Sequence, residues 1–331
     1  MVQKRSSATL LGALFVASLA ATTAFADHNG KNHGGGGGGK PGGNDGGDPA
    51  TGVWENWMAD DVEAAWNYGG GSYLGQNVTI TVVDDFTSRD KIVGVLNGKI
   101  TRKLHGDWTK HMASATAPAA TMNEHDFNLT TGFSLSSGFD VINASYGALY
   151  SNDPGSPDYF NGLDAQEQTL VDAAADTSAN GAVVAKSAGN AGKVIGSALD
   201  ADDYGGGYEG WQDQLSLALI GQPGAIFVGA LTDHGSGVLA DYSNFPGNNT
   251  TVQAQTLVVG VDSSAHGIAG TSFAAPIVAG YAAVVSSKFT SATPAQVAGH
   301  LLDTATDLGN AYSFGQGEAC LLCAISPASI N

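Results

Sequence analysis

The sequence predicts an α/β fold: a doubly wound, mostly parallel sheet with helices on both faces. Three observations predict it. Short apolar runs rich in β-branched residues recur at 77–85, 139–147, 181–190 and 225–231, each ending in small or polar residues. The first of them is β-branched throughout from Val78 to Val83, as a buried parallel strand is. Helical patterns lie between and after the runs. With 331 residues, 43% of them hydrophobic, the chain is long enough for one large α/β domain with a real core, although its 47 glycines are many.

The first 26 residues read as a signal peptide. Lys4 and Arg5 precede an apolar run from Ala8 to Ala21, and Ala24-Phe25-Ala26 supplies a small-residue cleavage site after Ala26. The run is shorter than the roughly 20 apolar residues of a spanning helix. Residues 27–50, "DHNGKNHGGGGGGKPGGNDGGDPA", have almost nothing to bury and read as a Gly-rich disordered linker. The domain is therefore expected over 51–331, secreted or periplasmic, without membrane attachment once the leader is removed, and monomeric. A balance of 13 Lys+Arg against 31 Asp+Glu, net −18, argues against nucleic acid and anionic membrane surfaces as partners.

Within the domain, "NVTITVVDD" places Val78, Ile80 and Val82 on one face, a parity that Asp84 continues. "GLDAQEQTLVDAAADTSANG" carries Leu163, Leu170, Val171 and Ala174 at helical spacing, with Gly181 beyond its end. "TPAQVAGHLLDTA" begins with Thr293 as N-cap, Pro294 at the first helical position and Gln296 closing a capping box. "GTSFAAPIVAGYAAVVSSKF" is a long apolar helix with Pro276 in its first turns.

In doubly wound sheets the site lies at the C-terminal ends of strands, and those ends are polar here. Asp84-Asp85 closes the first strand, Gly189-Asn190 closes the third, and Gly270-Thr271-Ser272 opens the long helix. A serine at a helix start has its hydroxyl near unpaired backbone N–H groups and the positive end of the dipole. Taken singly, each residue also has a plain structural reading: Ser272 as a cap, Asn190 as a turn residue, Asp84 as a strand-ending turn. "HGDWTKHM" offers two histidines, His105 and His111. Six helical residues advance about 9 Å and turn about 240° beyond a full circle, so only one of the two can serve a given site. That spacing is also wrong for two metal ligands on one helix face, and His111 reads as a surface or packing residue.

Taken together, "VVDD", "HGD", "SAGN" and "GTSFAAP" occur in an order that resembles the subtilisin-like serine proteases (subtilases, peptidase family S8), and the resemblance spans residues 55–325. It implies the subtilisin-like α/β fold and a secreted serine endopeptidase acting on polypeptides without a catalytic cofactor. Ser272 would be the nucleophile, His105 the base and then the acid, and Asp84 its orienting carboxylate. The Asn190 amide would hold the oxyanion together with the Ser272 N–H. "DVINASYG" resembles the segment that pairs with substrate, and the resemblance implies Ser145, Tyr146, Gly147 and Gly189 as the substrate-binding residues. An apolar or aromatic first subsite is implied as well.

The sequence departs from the family pattern where Asp85-Phe86 stand for Thr-Gly or Ser-Gly, and where Asp107-Trp108 stand for Thr-His. Residues 27–50 are too short and polar for a folded inhibitory propeptide. No loop reads as a calcium ligand set, so structural calcium and metal ligands are unassigned. Cys320 and Cys323 are open between a local bridge and two buried thiols, and no further ligands suggest zinc. Two alternatives stand beside the protease: a catalytically impaired binding or scaffold protein on the same fold, and an exported esterase of another α/β fold. The latter wants G-x-S-x-G, and here Ala274 occupies the last position.

Overall fold

The computed structural model describes residues 52–96, 98–129, 131–261 and 267–330. The signal peptide and Gly-rich linker expected over 1–50 lie outside the described residues, as does Thr51. The strands are β1 (Val78–Asp84), β2 (Ile92–Leu96), β3 (Lys99–Lys103), β4 (Thr121–Asp126), β5 (Phe139–Ala144), β6 (Leu149–Ser151), β7 (Ala182–Ser187), β8 (Trp211–Asp213), β9 (Ala225–Leu231) and β10 (Thr256–Gly260). The described helices are α1 (Val62–Trp66), α2 (His105–Thr116), α3 (Ala165–Ala175), α4 (Gln214–Leu219), α5 (Thr250–Ala254), α6 (Thr271–Lys288), α7 (Pro294–Asp303), α8 (Ala311–Phe314) and α9 (Leu321–Ile325).

Six strands form one parallel sheet in the order β10-β9-β7-β5-β1-β4, while β2–β3 and β6–β8 are small antiparallel ribbons. From β1 the chain crosses by α2 to β4 on one side. It then returns to β5 on the other side of β1 and proceeds outward through β7, β9 and β10. The direction of winding reverses between β1 and β5, which opens a crevice at their C-terminal ends.

Side-chain parity divides the core. Ile80, Val82, Val183 and Ala185 pack with Trp108 and Met112 of α2 and Val278 and Tyr281 of α6 on one face. On the other, Val83, Ile142, Val184 and Phe227 pack with Leu170 of α3 and Leu215 and Leu219 of α4. Because residues two apart share a face, Asp84 continues the Ile80–Val82 row toward α2, and Lys186 continues the Val184 row toward α4. Helix α6 is buried on nearly every side. Its Gly280 lets α2 come close: a Cβ there would stand 2.5 Å from the Thr116 Cβ.

Several predicted elements are shorter in the structure. The runs at 77–85, 139–147 and 181–190 leave the sheet at Asp84, Ala144 and Ser187, and their polar tails become loops at the crevice. Helix α3 begins at an Asp164–Glu167 capping box and ends at Ala175, short of Gly181. The Thr293–Gln296 capping box with Pro294 starts α7 as expected. Cys320 and Cys323 are joined in a disulfide with Cα atoms 5.2 Å apart. Among the described residues, no helix is long and apolar enough to cross a membrane.

Candidate active site

At the end of β1, Asp84 is fully buried and faces the start of α2. Its Oδ1 lies 2.6 Å from Nδ1 of His105, and its Oδ2 accepts a hydrogen bond from Thr109 Oγ1 at 2.7 Å. A carboxylate offers only lone pairs, so Nδ1 carries the proton and Nε2 is left as the acceptor. His105 and Thr109 are one helical turn apart, so both side chains reach the same carboxylate. The backbone N–H of Asp85 donates to Asp84 Oδ1 at 2.6 Å, which completes a set of donors that fixes the orientation of Asp84.

The residues that depart from the family pattern have structural partners here. Asp85 Oδ1 accepts from the N–H groups of Thr87 and Ser88 at 3.1 and 2.8 Å, closing the turn after β1. The Phe86 ring lies over Gly106, where a Cβ would stand 2.7 Å from the ring and 2.8 Å from the Asp85 carbonyl oxygen. Only glycine fits after His105. Asp107 sits in the first turn of α2, favourable to the helix dipole. Trp108 is buried and donates from Nε1 to the Ile92 carbonyl at 3.2 Å, tying α2 to the β2–β3 ribbon. His111 is turned elsewhere, with Nε2 3.2 Å from Glu55 Oε2.

Ser272 is the second residue of α6, in the turn where backbone N–H groups have no helical acceptor behind them. Pro276, one turn on, has no N–H to give the Ser272 carbonyl. Ser145 Oγ supplies the missing hydrogen bond at 2.8 Å, and Ser272 Oγ donates in return to the Ser145 carbonyl oxygen at 3.1 Å. Among the described residues no hydrogen bond joins Ser272 Oγ to His105. The rings of His105 and Phe273, the residue after Ser272, lie 5.3 Å apart between centroids.

Asn190 is held from three sides. Its Oδ1 accepts from the Thr271 N–H and Thr271 Oγ1, both at 2.9 Å, and its N–H donates to the Tyr204 hydroxyl at 3.0 Å. Committing Oδ1 to Thr271 fixes which way the amide faces and leaves Nδ2 as its free donor; a Cβ at Gly270 would be 3.4 Å from it. Gly189 donates to Thr271 Oγ1 at 3.1 Å and accepts from Asn244 N–H at 2.9 Å. Burial pushes the Tyr204 hydroxyl up to about 12, ahead of the opposing hydrogen bond from Asn190, so it stays protonated.

Ser145, Tyr146 and Gly147 on one side and Ser187 to Asn190 on the other line a cavity of about 40 Å³ beside Ser272. Tyr146 is buried and its hydroxyl accepts from Gln166 Nε2 at 3.1 Å, so only its backbone is available to a ligand. Lys186 and Asp213 also line this cavity, with Nζ 3.0 Å from Oδ2. A buried ion pair there differs from the apolar or aromatic subsite that the resemblance implies. Burial alone would raise the Asp213 carboxyl, but the Lys186 ammonium and the hydrogen bonds from Ser216 and Lys186 outweigh it and hold it below its usual value.

Thr109, Thr271, Tyr204, Lys186 and Asp213 were not singled out from the sequence. Lys186 had a signal, as the one charged residue inside "GAVVAKSAGN". Asp213 had none, because only folding brings it there. Among the described residues no group of three or more His, Cys, Asp or Glu is placed to hold a metal ion.

Comparison with known proteins agrees with this architecture. Subtilisin DY of Bacillus licheniformis is 26% identical over 282 residues, covering 78% of this chain and 92% of that protein. Alkaline elastase YaB of Bacillus sp. (strain YaB) is 47% identical over a segment of 64 residues, 18% of this chain and 17% of that protein. The crystal structure of MycP1 from Mycobacterium smegmatis superposes with a TM-score of 0.52 at 17% identity, over 80% of this chain and 82% of that one, which supports the fold. The model of the subtilase family, Peptidase_S8, matches residues 106–317, from the residue after His105 through Asn190 and Ser272. The chain therefore belongs to the subtilase family of serine-type endopeptidases.

Proposed function

We propose that the chain is an exported endopeptidase that cleaves polypeptides through an acyl-enzyme on Ser272. His105 Nε2 takes the proton from Ser272 Oγ as that oxygen bonds to the scissile carbonyl carbon. The carbonyl oxygen becomes an oxyanion beside Asn190 Nδ2 and the Ser272 N–H. His105 then passes its proton to the leaving nitrogen as the C–N bond breaks, and water releases the acyl group by the same route in reverse. Asp84 holds the tautomer and balances the imidazolium charge. These steps draw only on side chains, backbone and water. Substrate enters extended, pairing with the backbone of Ser145, Tyr146 and Gly147.

The observation that carries this reading is the 2.6 Å contact between Asp84 and His105. It leaves Nε2 as a base on the helix packed against the one bearing Ser272. Turning the Ser272 side chain about its Cα–Cβ bond frees Oγ from Ser145; loose contacts of this kind are common before substrate binds. Export rests on the leader ending at Ala26.

The test is labelling by a serine-directed fluorophosphonate together with peptide cleavage. The wild type is expected to do both, and Ser272→Ala to do neither while remaining folded. Labelling of Ser272→Ala would remove Ser272 from its role. A second reading, a scaffold protein that kept the fold and lost catalysis, is favoured by the hydrogen bond that occupies Ser272 Oγ. It requires that the folded wild type neither label nor cleave.

A further inference from the structure

The cavity beside Ser272 is lined by a charged pair that the catalytic steps do not use. Lys186 is 1% exposed, the second residue of "AKSAGN", on the α4 side of the sheet. Asp213 is the N-cap of α4. Its Oδ1 accepts from the N–H groups of Ala148 and Ser216 at 3.0 and 3.2 Å, and its Oδ2 accepts from Ser216 Oγ at 2.7 Å and faces Lys186 Nζ at 3.0 Å. Four donors leave that carboxylate nothing to offer a ligand.

The ammonium is different. It has three protons, and the described residues account for two: one to Asp213 and one to the Ser187 carbonyl at 2.8 Å. The Tyr204 hydroxyl, on the same cavity, accepts from Asn190 N–H and keeps its own proton uncommitted. The cavity thus presents two unspent donors, and one of them is charged.

We propose that Lys186 and Tyr204 make this cavity select an uncharged, hydrogen-bond-accepting side chain, the amide of asparagine or glutamine, at the residue whose carbonyl Ser272 attacks. The inference rests on the endopeptidase reading above and supplies its specificity. An apolar side chain would expel water from the ammonium and leave its third proton unpaired, at the cost of a hydrogen bond to a charged group. A carboxylate would satisfy that proton but would stand as a second anion beside Asp213, whose charge already balances Lys186. A lysine or arginine would meet the ammonium with like charge. An amide oxygen accepts from Lys186 without adding charge.

The test uses peptide anilides identical except for that residue, compared in near-isosteric pairs: Asn with Leu, Gln with Met, and Asn with Asp. Wild-type kcat/KM is expected to favour each amide over its apolar partner by about 10- to 100-fold, the range of a hydrogen bond to a charged group, and Asn over Asp. In Lys186→Met/Asp213→Asn, which removes both charges while keeping an acceptor for Ala148 and Ser216, the Asn-to-Leu ratio is expected to fall toward one. A ratio within one preparation cancels any general loss of activity. Preference for Leu or Phe, equal cleavage after Asp, or a ratio unchanged by the double substitution overturns the proposal. If the double variant does not fold, the wild-type series still decides. A wild type that labels with fluorophosphonate but prefers apolar residues defeats only the specificity. One that neither labels nor cleaves defeats the endopeptidase reading and this proposal with it.

Discussion

Two buried acid–base pairs stand at strand ends on opposite faces of one sheet: Asp84 with His105 toward α2, and Asp213 with Lys186 toward α4. Their carboxylates are treated alike. Each collects a backbone N–H, a hydroxyl and a nitrogen from its basic partner. The difference lies in what the partner does with its remaining valence. An imidazole held by Nδ1 has a second nitrogen that can accept and return a proton near neutral pH. An ammonium held by a carboxylate and a carbonyl has only protons to donate. Similar wiring thus leaves a nitrogen lone pair on one face, the base of the proposed mechanism, and a fixed donor on the other.

The largest expected effect breaks the first pair. His105→Ala is expected to lower kcat on the order of a million-fold, the size seen when a subtilisin, a member of this same family, loses its histidine. His111→Ala, which loses only the contact with Glu55, is expected to keep most activity. If a peptide assay on folded protein gives the reverse order, the two histidines have exchanged roles. On the second face the loss is in stability. Lys186→Met leaves a buried carboxylate without its counter-charge and is expected to cost about 3–5 kcal/mol in denaturant unfolding, most of it recovered when Asp213→Asn is added. Failure of the second substitution to compensate would mean that the lysine stem, and not its charge, holds the structure.

Asn190→Leu sharpens the comparison, because its Nδ2 is proposed to meet charge that exists only in the transition state. Steady-state kinetics should show kcat lower by about 100- to 1,000-fold with KM little changed; that figure comes from a subtilisin. A rise in KM alone would make Asn190 a binding residue. The smallest effect concerns Glu167, buried on the α4 face, which burial raises from its ordinary 4.5 to about 7. A carboxyl raised in the folded state contributes stability that is fully present below about pH 4.5 and lost as pH rises through about 7, a span of about 3 kcal/mol. Glu167→Gln keeps an oxygen for the Asp164 N–H, so melting curves should show that pH dependence flattened while stability at low pH changes little.

The difference between the faces also explains what the sequence disclosed. Asp84, His105, Asn190 and Ser272 could be singled out because each stands in a short local phrase, and the Val78, Ile80, Val82 parity added support for Asp84 over Asp85. The fold class followed from apolar runs that need cover on both sides. Strand β4, "TMNEHD", was missed because an edge strand with mostly exposed side chains has no apolar run to announce it. Thr271, which aims the Asn190 amide, was visible only as part of a motif. Asp213 meets Lys186 only through tertiary packing, from a three-residue strand that carries no periodic signal. Local phrases record a mechanism shared across a family, whereas the pocket that distinguishes one chain is assembled from scattered residues.

Helix α6, buried on nearly all sides, has a consequence for the order of assembly. It packs against β1, β5, β7, β9 and β10, yet it follows all of them in the chain. During synthesis every strand of the main sheet has emerged before α6 exists, and the apolar face that α6 shares with α2 is only partly covered until the chain has passed Lys288. Contacts between elements so far apart in sequence form slowly, because long loops must close before burial rewards them. Ser272, at the start of α6, therefore comes to the side of the sheet where α2 holds His105 only after the sheet and α6 have come together. Under the proposed mechanism a chain still being made would hold His105 and Asp84 without Ser272, and would be unable to cut itself or its neighbours until α6 is in place.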